Sequence, residues 1–206
     1  MSTPGELRER EQHAAGLVGS RIVAIRYFDI DYRRLQEAAD DEVVRGSRLV
    51  TEATEWAEPT WQWPDFDAID YGIELDTSRG ETYCAVWQQA GLNEGLAMRQ
   101  EALRLRRLVS DGAFAIWDVT EESRWTPLLG RRVTAVELSW HRPDPSADLC
   151  CDAVTLRFDG EALHLTLGDA NAQGELVGSS DNVAVLSDDT ARRYRVGPHG
   201  PPSDAV

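Results

Sequence analysis

Residues 17–25 read LVGSRIVAI, and residues 128–136 read LLGRRVTAV. Four of the nine positions are identical, and three more exchange one branched aliphatic for another. A chain that writes one small strand twice is constrained to architectures that accommodate two similar units. Two further blocks follow in the same order. Ile73 aligns with Val154 through a hairpin in which RGE at 79–81 falls on DGE at 159–161, and FAIWD at 114–118 falls on VAVLS at 183–187. The expected fold is therefore α+β: mainly antiparallel sheet built from two tandem similar repeats, with helices concentrated in the first repeat. The boundaries that follow are 1–120 for the N-terminal repeat, 121–197 for the C-terminal repeat and 198–206 for a disordered tail. The segment GPHGPPSDAV that ends the chain has too little apolar content to pack.

Local patterning supplies the elements. TPGE offers Thr3 as a cap, Pro4 at the first helical position and Glu6 as a capping carboxylate, so a helix runs to about Ala15 and stops at Gly16. SRIVAIRYF reads as a strand, and DYRRLQEAADDEVVRG at 31–46 has helical spacing. YGIELD and ETYCAVW alternate as a hairpin. LAMRQEALRLRRLVSDG at 96–112 places Met98, Ala102, Leu105 and Val109 on one stripe and predicts a helix. In the second half, Asp159-Gly160 between two alternating runs marks a two-residue hairpin turn.

The first half is longer, and the largest excess lies between Asp29 and Asp67. This insertion holds an uneven charge: residues 51–81 carry nine carboxylates against Arg79 alone. Trp56, Trp61 and Trp63 are interleaved with Glu55, Glu58, Asp65 and Asp67. Tryptophan gives large contact area at low rotamer cost, and surrounding carboxylates steer a basic partner. These seven residues are the candidate partner-binding set. The functional expectation is a non-enzymatic cytoplasmic binding protein, of inhibitor or immunity type, engaging a basic protein partner through that acidic, Trp-rich insertion. No cofactor is expected.

The net charge of −15 repels phosphate backbones, which argues against nucleic acid as a partner. No apolar run is long enough to span a membrane. All 21 basic residues are arginine, and this excludes chemistries that need a lysine, such as a phosphate-binding loop, a Schiff base or a protein kinase. Three cysteines, two of them adjacent at 150 and 151, form no even framework and indicate reduced thiols.

Two alternatives accompany the leading expectation. Asp29, Asp31, Asp65, Asp67 and Asp70 could serve a small metal-dependent hydrolase, although neither Asp-x-Asp pair sits in a calcium-loop pattern. A small-ligand pocket could form at the junction of the repeats. The four histidines show no zinc-ligand spacing; His164 and Cys84 occupy aligned positions, and His199 falls in the tail.

Overall fold

The computed structural model describes residues 4–32, 46–50, 59–90, 93–111, 113–142, 148–178 and 181–200. It is mixed α+β and mostly antiparallel. Helix α1 (Pro4–Ala15) ends where the Gly16 N–H turns back to the carbonyls of Gln12 and His13. The helix expected over 31–46 lies almost wholly outside the described residues.

One sheet comprises β1 (Ile22–Ile30), β2 (Arg48–Val50), β4 (Tyr71–Thr77), β5 (Thr82–Ala90), β6 (Asn93–Arg99) and β7 (Phe114–Asp118). Their order across the sheet is β2-β7-β1-β4-β5-β6, with only β2 and β7 parallel among these pairings. The other sheet holds β3 (Phe66–Ile69), β8 (Ala135–His141), β9 (Cys150–Phe158), β10 (Glu161–Leu167) and β13 (Val183–Ser187), ordered β3-β13-β10-β9-β8. A short pair, β11 (Asp169–Ala170) and β12 (Leu176–Val177), stands apart.

The two sheets share one core. Ile25, Ile73 and Leu75 of the first sheet lie in the same buried cluster as Leu156, Leu165 and Val185 of the second. Each such side chain contributes roughly 1.5–3 kcal/mol by leaving water. In β1 the register shifts between Ile22 and Ala24, so Ile22 and Ile25, three residues apart, both reach that core. The outer faces are covered as well. Leu103 and Val109, from a 3-10 turn (Leu103–Leu105) and α2 (Arg107–Asp111), pack on Phe28, Val86 and Phe114. Helix α3 (Asp188–Tyr194) places Ala191 and Tyr194 against Phe66 and Leu186. Burial on both faces is why VAVL reads as an unbroken apolar run. Among the described residues, no helix is long and apolar enough to cross a membrane.

The helix predicted over 96–112 is not formed. Leu96, Ala97 and Met98 belong to β6, and the stripe is broken because Leu105 is 81% exposed while Val109 is buried. Seven residue pairs with β5 hold β6 along one side, and Leu96 and Met98 face the inter-sheet core while Ala97 faces outward. Sheet pairing with burial on both faces outweighs the helix preference of Leu, Ala and Met.

Both sheets contain a four-stranded meander, β1-β4-β5-β6 and β8-β9-β10-β13. Their registers agree at the positions the sequence equates. Ile25 faces Leu75 and Tyr27 faces Ile73; Val136 faces Leu156 and Leu138 faces Val154. Glu74 lies opposite Cys84 as Thr155 lies opposite His164. The third aligned block does not fit this order. FAIWD forms β7 beside β1, whereas VAVLS forms β13 beside β10; the counterpart of β13 in the meander is β6, where Ala97 faces Val86 as Ala184 faces Thr166. The twice-written segments also meet: Arg21 bridges Arg132, the Gly19 N–H donates to the Val133 carbonyl at 2.8 Å, and the Gly130 N–H donates to the Ile22 carbonyl at 3.0 Å.

The chain changes sheets within one residue. β3 edges the second sheet, β4 lies inside the first, and only Asp70 separates them. Beside this corner is a buried polar lock. The Tyr27 hydroxyl donates to Asp67 Oδ2 at 2.8 Å and accepts from Trp125 Nε1 at 2.6 Å. Arg124 Nε donates to the same Asp67 oxygen at 3.0 Å, and its Nη1 reaches the Asp65 carbonyl. Burial pushes the Asp67 carboxyl up from its ordinary value, opposed by Arg124. The Arg124→Ala variant is expected to lose about 3 kcal/mol by leaving a buried carboxylate without its cation. Adding Asp67→Asn should return part of that loss, as read by urea unfolding.

Candidate functional site

The acidic insertion meets arginine at most of its described carboxylates. Asp65 pairs with Arg193 at 2.6 Å and Asp67 with Arg124 at 3.0 Å. Arg26 bridges Glu74 at 3.0 Å and Asp76 at 2.7 Å, and Arg104 closes on Glu74 from the other side. Upstream, Asp31 holds Arg48 at 2.9 Å. The guanidinium fork suits such pairs because several N–H donors lie in one plane. Much of the charge that looked available to a partner is therefore spent within the fold.

The tryptophans divide. Trp61 is 3% exposed and lies in the inter-sheet cluster, edge-on to Tyr27 at 5.0 Å and to Trp117 at 5.8 Å. Aromatic packing of this kind holds a large ring inside. Trp61 and Asp67 are thus withdrawn from the surface, contrary to the expectation of a contact face. Trp63 is half-buried and stacked on Phe66 at 6.5 Å, and Asp65 stays partly open. Glu55, Trp56 and Glu58 lie outside the described residues.

Among the described residues, carboxylates without an arginine partner gather instead at the sheet-switching corner. A cavity of about 250 Å³ is lined by Asp29, Tyr32, Thr60, Asp70, Asp169 and Asn182. Its walls come from both sheets: β1 supplies Asp29, the β3–β4 junction supplies Asp70, and β11 and the approach to β13 supply Asp169 and Asn182. Asp29 is 5% exposed, and it accepts from Thr60 Oγ1 and from the Asp70 N–H, each at 2.8 Å. Burial raises its carboxyl to about 6 from 3.8, against the lowering effect of those two bonds. Burial likewise raises Asp70, which accepts from the Tyr32 hydroxyl and feels Asp181 and Asp169 nearby. Such a cavity can hold a cationic group, and every cation admitted relieves repulsion among these acids.

Of the five aspartates considered for a metal-dependent hydrolase, only Asp29 and Asp70 line this cavity; the other three are bound to arginines. Cys84 on β5 and His164 on β10 lie in different sheets and do not form a nucleophile–base pair. Burial pushes the Cys84 thiol up to about 12, with Glu101 beside it adding to the effect. That is opposite to the activation a nucleophilic thiol needs. Asp169 and Asn182 were absent from the sequence-derived candidates, because they are distant in sequence and only the sheet crossing brings them to Asp29. No family model, curated protein or solved structure matches the chain.

The raised Asp29 carboxyl has a stability consequence. The folded state binds more protons than the unfolded chain between about pH 4 and pH 6, so this group's favourable contribution is present at low pH and is lost as pH rises through about 6. Relative to Asp29→Asn, the wild-type protein is expected to lose up to about 3 kcal/mol between pH 4 and pH 7. Urea midpoints of the two proteins measured across that range check this.

Proposed function

We propose that the protein is a non-enzymatic binding protein whose corner cavity receives a cationic side chain of a basic partner. The observation that carries this reading is the contrast in charge pairing. Asp65, Asp67, Glu74 and Asp76 are matched by arginines, whereas, among the described residues, Asp29, Asp70 and Asp169 converge on one cavity with no arginine in its lining. Glu58 and Glu55 precede Thr60 in the chain by two and five residues. Partly buried Trp63 and Asp65 would add rim contacts. Free, buried cysteines at 84, 150 and 151 fit a reducing, cytoplasmic setting.

The two meanders are read as tandem copies of one unit. Their common registers support this, as do the reciprocal hydrogen bonds between Gly19, Val133, Gly130 and Ile22. A second reading, a small cationic ligand in place of a protein partner, is favoured by one observation: the cavity lies where the two sheets meet.

A hexa-arginine peptide serves as the probe. Titration calorimetry at low salt is expected to show binding that weakens at least about tenfold in Asp70→Asn/Asp169→Asn, a difference of about 1.4 kcal/mol. Binding should also weaken as pH falls below about 6, where Asp29 takes up its proton. Equal affinity of wild type and double variant removes the cavity from the interaction.

A further inference from the structure

The second sheet carries a separate cluster that the corner cavity does not use. His164, on β10, is 0% exposed, and its Nε2 lies 3.0 Å from Asp188 Oδ1. His199 brings its own Nε2 to the same oxygen at 2.9 Å. The two rings are tilted, with centroids 5.5 Å apart. All three ligand atoms lie within 4.8 Å of one another. Three separate elements supply them: a sheet strand, the first residue of α3 and a 3-10 turn (Gly197–His199). The terminal stretch expected to lie off the fold therefore folds back at residues 197–200.

Two of the three are held from behind. His164 Nδ1 is 3.0 Å from Thr155 Oγ1, its cross-strand neighbour on β9. Arg192 Nη2 fixes Asp188 Oδ2 at 2.6 Å and leaves Oδ1 to the histidines. The turn carrying His199 reaches the sheet because residue 197 is glycine. Its φ is 60°, and a Cβ there would meet Thr155 Oγ1 at 3.3 Å and His164 Nδ1 at 3.5 Å.

We propose that His164, Asp188 and His199 bind one divalent ion of the zinc class through the two Nε2 atoms and Oδ1. Two imidazoles and one carboxylate suit zinc and its transition-metal neighbours, whereas magnesium and calcium favour all-oxygen sets. Bonds of about 2.0–2.1 Å to a tetrahedral ion separate its ligand atoms by about 3.3 Å. The observed separations of 2.9 and 3.0 Å need only a few tenths of an ångström of opening, together with closure of the two imidazoles toward each other. The Thr155 hydroxyl serves both states. It donates to Nδ1 when Nε2 carries the proton, and it accepts from Nδ1–H when Nε2 binds the ion, which is the outer-shell arrangement of metal-bound histidine. Three protein ligands leave the fourth position to solvent. The bound ion fastens the 197–199 turn to β10 and α3.

The test is titration of the EDTA-treated full chain with zinc chloride against a chromophoric chelator, with magnesium chloride in parallel. Wild type is expected to take up one equivalent of zinc and no magnesium. His199→Ala and Asp188→Asn should each weaken zinc binding by more than about tenfold, while His13→Ala/His141→Ala should match wild type. Circular dichroism and gel filtration confirm that each variant is folded, and agreement between the two single variants guards against local damage from either. Absence of stoichiometric uptake by wild type overturns the proposal. So does undiminished binding by folded His199→Ala and Asp188→Asn, or loss confined to the His13/His141 variant.

Discussion

A carboxylate placed between two sheets stays ionised only if the protein replaces the water it has lost. Asp67 receives that replacement from three directions: the Tyr27 hydroxyl on β1 and Arg124 directly, and the Trp125 indole through Tyr27. β3 belongs to the second sheet, β1 to the first, and Arg124 and Trp125 to the segment joining β7 to β8. One buried charge thus sets the position of a strand from each sheet and of the connection between the halves. The apolar core supplies the larger driving force, but hydrophobic burial is non-directional. The polar lock specifies which edge of the second sheet meets β1. The corner at Asp70 follows from it, since β3 held against β1 through Asp67 leaves only one residue before β4 begins.

Much of the sheet architecture was legible in the chain. The likeness in sequence of residues 17–25 to 128–136, and of the runs around Ile73 and Val154, falls on β1 with β4 and on β8 with β9, each an antiparallel pair. Alternation and the Asp159-Gly160 turn located β9 and β10. β6 was hidden because Leu96, Ala97 and Met98 are good helix formers and the strand is apolar on both faces, so no period of two marks it. Only pairing with β5, a tertiary fact, distinguishes the two outcomes.

The site was less legible. An excess of acid was plain in the sequence, but which acids are neutralised depends on arginines far along the chain. Arg124 lies 57 residues from Asp67, and Arg193 lies farther still from Asp65. Nothing in the sequence sets Trp61 apart from its neighbours, yet it fills the space between Tyr27 and Trp117. His164 and His199 are 35 residues apart, without the short spacing that announces a ligand pair, and are joined by Asp188 only because α3 starts directly at the end of β13. Spacing rules detect ligands carried on one element. They are silent when three elements each contribute one.

The single-residue passage at Asp70 ties mechanics to recognition. Its backbone N–H grips Asp29 on the first sheet, its side chain faces the cavity, and the strand entering it is an edge of the second sheet. No slack chain intervenes to absorb a shift. Any splaying of the sandwich at this end therefore widens the cavity directly, and an occupant of the cavity would resist that splaying, so the width of the cavity and the angle between the layers form a single mechanical coordinate.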